Sequence, residues 1–334
     1  MRVGSLVYAT TQGLGYLAKA FVDNGVVTHP FIVSHGSRQT QPWYVGAPVG
    51  VPSLLNFKKT VLKFAQSMDV MVFFETPFWW ELIDECRKVG VKTVLMPMYE
   101  CMPYPLPAKP DTIWNPSALD QKHYPDGERV TVPVYASTWK ERYRRVKVFV
   151  HNAGHHGLKG RNGTTELCQA WWMVNSSAKL ILRTQEGLSR EEKLAIQDLP
   201  NVDVRVGTFP HESLYDEGDV FIYPEKFNGL SLPLQEAFAA GMMVMTTNRF
   251  PNTEWLPDRP LINVSSYRTQ QVHRRFQSFD EAVINPKDIA DRVNSMMHAD
   301  LMTYNLAGKR WADANDWSVW KPKYQALLEQ VRRS

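Results

Sequence analysis

Cysteine is scarce in this chain. Cys86, Cys101 and Cys168 are its only three, an odd set without metal-binding or redox spacing, which argues against a disulfide-stapled scaffold and for reduced thiols in a cytoplasmic protein. Long apolar runs are missing as well. None approaches the ~18 residues that a membrane-spanning helix requires, and the short apolar start of Met1–Thr10 leads straight into a glycine turn, so it reads as a first strand and not as a signal peptide. No low-complexity tract and no internal repeat is present. Charge of one sign does not dominate either: 38 Lys+Arg stand against 34 Asp+Glu, a net charge of +4.

What the chain does have is size and alternation. At 334 residues with 44% hydrophobic content it exceeds one typical core, and two domains are the natural expectation. Strand-like apolar runs alternate with helical patterns, the order of parallel sheets covered by helices on both faces. In the first half, 3–9, 30–34, 70–74 and 93–96 read as strands, with helices near 14–24, 57–67 and 78–89. In the second half, 146–151, 179–184, 202–206, 219–223 and 243–246 read as strands, with helices near 164–175, 190–198, 211–216 and 233–240. Further helical segments close the chain after about 287. The boundaries expected are 1–145 for a first Rossmann-like domain, 146–305 for a second, and 306–334 for closing helices that pack back on the first.

Two loops carry chemistry. Val146–His151 is a strand followed by Asn152-Ala153-Gly154-His155-His156-Gly157-Leu158-Lys159-Gly160-Arg161-Asn162-Gly163, after which helical spacing begins near Thr164. A glycine-rich loop with Lys159 and Arg161 between strand and helix suits a diphosphate, since amides and helix dipole face the anion while the cations neutralise it. The neighbouring His155 and His156 do not suggest a metal, because adjacent side chains seldom converge on one ion and no Cys or carboxylate cluster completes a site. Structural loop residues, or a hydrogen bond to phosphate, are the alternatives for them. The second loop follows Val220-Phe221-Ile222-Tyr223-Pro224. Asn228-Gly229-Leu230-Ser231-Leu232-Pro233-Leu234-Gln235-Glu236 places small and polar residues where a strand meets a helix, and Pro233 suits the first helical turn. Taken without the first loop, it is equally a plain strand-to-helix corner with a solvated Glu236 and a turn-forming Asn228.

Together these loops resemble the donor site of nucleotide-sugar glycosyltransferases with the GT-B architecture, of the retaining kind in which two acids eight positions apart flank a glycine turn. Glu236 matches the second acid, and Asn228 stands where the first is expected. The resemblance implies two Rossmann-like doubly wound domains facing a cleft, the acceptor belonging to the first and the donor to the second. It implies that Glu236 accepts hydrogen bonds from the nucleotide ribose, that Asn228, Gly229, Leu230 and Ser231 meet the donor sugar, and that Lys159, Arg161 and Asn162 hold the diphosphate. Asn228 still offers one acceptor oxygen and two donor hydrogens but no negative charge.

At the first strand, Thr10-Thr11-Gln12-Gly13-Leu14-Gly15 leads to Ala18. The stretch is a variant of the dinucleotide-binding fingerprint, but no acid stands at a persuasive place after the second strand, which makes a dinucleotide dehydrogenase a poor reading. The resemblance implies that Gly13 and Gly15 let the first domain approach the donor; each glycine taken alone also fits a tight turn packing helix on strand. Retention in that class is explained by the donor phosphate taking the acceptor proton, so no protein base is obligatory. Glu100 and His35, just beyond strands of the first half, are the candidates if one exists.

The function expected is transfer of a sugar from a nucleoside-diphosphate sugar to a hydroxyl, with no cofactor beyond that co-substrate. A catalytically degenerate nucleotide-sugar-binding protein and a sugar-nucleotide epimerase of the same fold are the rivals. The acceptor is open among a glycan, a lipid-linked sugar, a metabolite and a hydroxymethylated DNA base. Residues 1–145 hold 16 Lys+Arg against 12 Asp+Glu and the rest hold 22 of each, so the excess positive charge lies in the acceptor half and favours an anionic partner. Two basic segments with aromatics, 139–147 and 267–276, are read either as grips for an anionic surface or phosphates, or as solvated linker and loop.

Overall fold

The computed structural model describes residues 1–34, 40–134, 139–142, 145–155, 160–258 and 260–334. The chain divides into two compact units, the first formed by Met1–Tyr135, His273–Gln277 and Asn315–Ser334, the second by Ala136–Val272 and Ser278–Ala314.

The first unit is built on seven strands: β1 (Val3–Val7), β2 (His29–Val33), β3 (Val49–Gly50), β4 (Val70–Glu75), β5 (Lys92–Pro97), β6 (Thr112–Asn115) and β7 (Glu128–Arg129). They run parallel in the order β3-β2-β1-β4-β5-β6-β7, so the direction of winding reverses between β1 and β4. Parallel strands covered on both faces must be apolar throughout, and β1 and β4 are buried from Val3 to Val7 and from Val70 to Phe74. Helices α1 (Gly13–Asp23), α2 (Phe57–Ala65), α3 (Glu81–Lys88) and α4 (Ala118–His123) flank the sheet. The closing helix, Trp317–Arg333, lies in this unit. Its Trp317 and Tyr324 rings stand 5.1 and 4.8 Å from Phe21, and Tyr324 stands 5.2 Å from Trp114; burying such aromatics stabilises by roughly 1.5–3 kcal/mol each. Gly15 shows why α1 begins where it does: a Cβ there would lie 2.0 Å from the Thr10 carbonyl oxygen.

In the second unit β8 (Val148–Gly154), β9 (Lys179–Thr184), β10 (Val202–Val206), β11 (Val220–Tyr223) and β12 (Met243–Thr246) form a parallel sheet in the order β10-β9-β8-β11-β12. The winding reverses between β8 and β11. One face packs on α5 (Thr164–Trp171), α6 (Arg190–Ile196) and α8 (Pro286–Met296), around Phe149, Trp171, Leu180 and Ile222; the other packs on α7 (Leu232–Ala239), around Phe221, Leu234 and Phe238. Helix starts are capped by side chains: Ser189 and Glu192 form a reciprocal capping box at α6, and Asn285 accepts from Lys287 N–H at α8. A 13-residue helix, α9 (Met302–Ala314), follows.

Three expectations are corrected. The helix expected at 211–216 is one short turn, His211–Ser213, and the carbonyls that follow it are met by guanidinium groups: Arg183 Nη1 donates to Leu214 at 2.6 Å, and Arg142 Nη2 to Tyr215 at 2.7 Å. The segment at 267–276 is a loop only in its second part. It contributes to an antiparallel hairpin, β13 (Ser266–Gln271) with β14 (Ser278–Val283), and its Arg268 is paired with Glu281 at 2.7 Å. The turn of that hairpin belongs to the first unit, where Gln277 N–H donates to Met102 O at 2.8 Å. Nor is 139–147 a solvated linker in its described part: Arg142 is buried, Lys140 pairs with Asp216 at 2.7 Å, and Trp139 Nε1 donates to Asn305 O at 3.3 Å.

Among the described residues no helix is long and apolar enough to cross a membrane. Burial raises the thiols of Cys86 and Cys168 to about 12, so both stay protonated at neutral pH.

Candidate functional site

In a doubly wound sheet, ligands bind outside the carboxyl ends of the strands where the winding reverses. In the second unit that place lies between β8 and β11, and the two loops singled out above are the ones that leave these strands. They are bound to each other. Lys226 N–H donates to Arg161 O at 2.7 Å, and Gly163, at φ +69 before α5, sits so close to the second loop that a Cβ would lie 2.2 Å from Pro224 O. Only glycine accepts both the left-handed backbone and that approach.

Within the first loop, Asn162 is fully buried; its Nδ2 donates to Ala153 O at 2.8 Å, and its Oδ1 accepts from Thr164 Oγ1 at 3.0 Å. Its polar atoms hold the loop on β8. His155 Nδ1 lies 2.8 Å from Glu186 Oε1. Lys159 and His156 lie outside the described residues, as does His35 in the first unit.

The second loop starts at Tyr223, the last residue of β11. Burial raises its hydroxyl pKa, the charges of Glu225 and Glu236 add to that, and the charge of Arg161 opposes it. Glu225 is wholly buried and ion-paired with Arg249 at 2.6 Å. Asn228 is also buried, its Nδ2 donating to Glu225 Oε1 at 2.8 Å and its Oδ1 accepting from Ser231 N–H at 3.3 Å. Gly229 and Leu230 are buried beside it. Ser231 precedes α7 in the left-handed region, φ 51, with its hydroxyl donating to Glu225 at 2.9 Å. Pro233 falls in the first turn of α7.

Glu236, in the middle of α7, is nearly buried. Its Oε2 accepts from Tyr215 Oη–H at 2.7 Å, and its Oε1 lies 3.0 Å from His211 Nε2. Burial by itself lowers the His211 imidazole, but the charge and hydrogen bond of Glu236, with the charge of Glu212, outweigh it and hold the pKa above its ordinary value. A carboxylate has about four acceptor positions. Two of those on Glu236 are used inside the protein.

In the first unit, Gly13 and Gly15 open α1, the latter against Thr10. Glu100 is buried in the turn Tyr99–Cys101 after β5. Near it, Asp120 accepts from Tyr99 N–H at 2.9 Å and from the Ser117 hydroxyl. Burial and the charge of Glu100 raise the Asp120 carboxyl to about 7, against the lowering effect of those hydrogen bonds and of Arg129.

Sequence reasoning missed His211, Tyr215, Glu225, Arg249 and Asn252 as members of these clusters. A signal was available for some of them, since His211 follows β10 and Arg249 follows β12 at the same carboxyl edge.

No family model matches the chain, and no curated protein matches its sequence. Solved structures match over its whole length and define its fold: two Rossmann-like units, as in the GT-B glycosyltransferases. HepE from Anabaena, solved with UDP, is 12% identical with a TM-score of 0.69, covering 99% of this chain and 100% of that one. A glycosyltransferase from Rickettsia africae is 11% identical at a TM-score of 0.67, covering 99% and 98%. Sucrose-phosphate synthase from Thermosynechococcus elongatus is 13% identical at 0.61, covering 100% and 99%.

Proposed function

We propose that this protein is a glycosyltransferase that moves a sugar from a nucleoside-diphosphate sugar to a hydroxyl acceptor, with retention. The observation that carries the reading is the joining of the two loops by Lys226 N–H and Arg161 O, together with a nearly buried Glu236 whose carboxylate keeps acceptor capacity. Such a site suits a ligand with a polyanionic middle and a diol at one end, which describes a nucleoside diphosphate. The fold neighbour HepE is solved with UDP-glucose, and that supports the donor class.

In this reading Glu236 holds the ribose hydroxyls. Arg161, with Lys159 and the amides at the start of α5, neutralises the diphosphate as it leaves; aiming fixed charge at developing charge is the largest contribution such a site makes to rate. The turn at Asn228–Ser231 faces the sugar. The departing phosphate takes the acceptor proton, so Glu100, buried in the first unit, is not needed as a base. The second unit binds the donor and the first the acceptor, whose identity stays among glycan, lipid-linked sugar, metabolite and hydroxymethylated DNA base.

The test is incubation of the purified chain with UDP-, GDP-, ADP- and dTDP-sugars, followed by calorimetry and by mass spectrometry of the products. Binding that Glu236→Ala or Arg161→Ala weakens at least about tenfold supports the reading. If no nucleotide binds, the reading is wrong. Conversion of the donor sugar to its epimer without acceptor identifies the epimerase, and binding with neither hydrolysis nor transfer identifies the degenerate binding protein.

A further inference from the structure

Glu225 is an acid that the donor-site signature does not use, yet it is the hub of the turn between β11 and α7. Its Oε1 accepts from Asn228 Nδ2 at 2.8 Å and from Ser231 Oγ at 2.9 Å, and its Oε2 accepts from Arg249 Nη2 at 2.6 Å and from Asn252 Nδ2 at 3.4 Å. All of its roughly four acceptor positions are therefore taken inside the protein, which leaves none for a ligand. Arg249 closes the network through the backbone: Nε donates to Glu225 O at 3.2 Å, Nη1 and Nη2 both donate to Asn228 O at 3.2 Å, and Nη1 donates to Phe250 O at 3.0 Å. Replacing a buried ion pair by apolar packing of the same volume is often neutral or stabilising, so stability alone does not account for this one.

We propose that Glu225 is the positioning residue of the sugar-facing turn: the acid expected at position 228 stands three residues earlier in this chain, and Asn228 is the partner that an acid at 225 requires. This rests on the donor reading above. With Nδ2 given to Glu225 and Oδ1 taking the Ser231 amide, the Asn228 carboxamide has one orientation, and it sets the path of Gly229, Leu230 and Ser231. A carboxylate at 228 has no hydrogen to donate and faces a like charge. The polarity of the pair can be inverted, because an amide at 225 facing a carboxylate at 228 restores one donor opposite one acceptor.

The experiment compares the full chain with Glu225→Gln, Asn228→Asp and the double variant, measuring by calorimetry the binding of UDP, GDP and ADP and of their glucose and N-acetylglucosamine conjugates, alongside melting temperature. The expected result is that each single substitution weakens the sugar nucleotide about tenfold or more while the matching diphosphate changes less than about threefold, and that the double variant recovers to within about threefold of the parent. If the double variant is no better than the worse single one, or if both ligand types weaken together in step with melting temperature, Glu225 merely holds the loop and the inference is overturned. A parent chain that binds the diphosphate but gains nothing from the sugar also overturns it, leaving the donor-nucleotide site standing. A parent chain that binds no nucleotide at all removes the donor reading and this inference together.

Discussion

His211 Nε2 and Glu236 Oε1 stand 3.0 Å apart, both nearly buried, with Tyr215 on the other carboxylate oxygen. The pair is therefore sensitive to pH. Since the folded His211 pKa lies above its ordinary 6.5, the protonated ring contributes stability that is fully present below 6.5 and is lost as pH rises through the raised value. His211→Gln is expected to lower stability by about 2 kcal/mol at acidic pH, the size of a charge-assisted buried hydrogen bond, with the deficit shrinking as the solution becomes alkaline. Melting curves of both proteins from about pH 5.5 to 9 check this; a deficit that grows with pH contradicts the assignment.

Tyr215→Phe tests the other oxygen. The hydroxyl donates to Glu236 Oε2 at 2.7 Å from within the core, and its removal leaves a buried acceptor unpaired. The expected cost is roughly 1–3 kcal/mol in stability. On the proposed reading it also lowers nucleoside diphosphate affinity, because the carboxylate loses its fixed orientation. Thermal melting and calorimetry with UDP measure the two effects separately.

The central strands of both sheets were legible from the sequence because they are buried on both faces and write continuous apolar runs, while the half-exposed edge strand β10 showed itself by its alternating valines. The spans of β9, β10 and β12 agree with their sequence assignments residue for residue. The hairpin was not legible: Ser266–Gln271 is exposed along nearly its whole length and carries no apolar alternation, so nothing distinguishes it from a basic loop. Nor were β3 and β7, each two residues long, or α4. In the candidate site the two loops announced themselves by glycine and proline at strand ends. Their supports did not, because His211 is 25 residues from Glu236, and Arg249 is 24 from Glu225. Only the winding of the sheet brings the ends of β10 and β12 beside the loops they serve.

Gly163 makes a sharp case for the contact between the loops. Gly163→Ala adds a methyl group 2.2 Å from Pro224 O at φ +69, whereas Gly187→Ala adds one at φ +84 with nothing within 4 Å. Both carry the left-handed backbone cost of about 1–2 kcal/mol. Only the first also forces the loops apart, so Gly163→Ala is expected to lose more stability than Gly187→Ala and several-fold more affinity for a nucleoside diphosphate. Equal affinities in the two variants contradict the joined-loop site.

Asp120 offers a prediction in the first unit that is independent of any ligand. Its carboxyl pKa is about 7 in the folded protein against an ordinary 3.8, raised first by burial and then by the nearby charge of Glu100. The folded state therefore binds a proton more tightly than the unfolded chain does, and the sign follows: stability from this group is whole below 3.8 and declines as pH rises towards 7. The penalty accumulated at neutral pH is roughly 4 kcal/mol, at about 1.4 kcal/mol for each tenfold difference in proton affinity between the folded and unfolded chain. In Asp120→Asn the carboxamide oxygen still accepts from Tyr99 N–H and its NH₂ reaches the Ser117 hydroxyl, while nothing titrates. The variant is expected to hold its melting temperature between about pH 4 and 7, where the parent declines more steeply. Parallel melting curves over that range measure the difference; curves of equal slope mean that Asp120 is ionised in the folded protein across the whole interval.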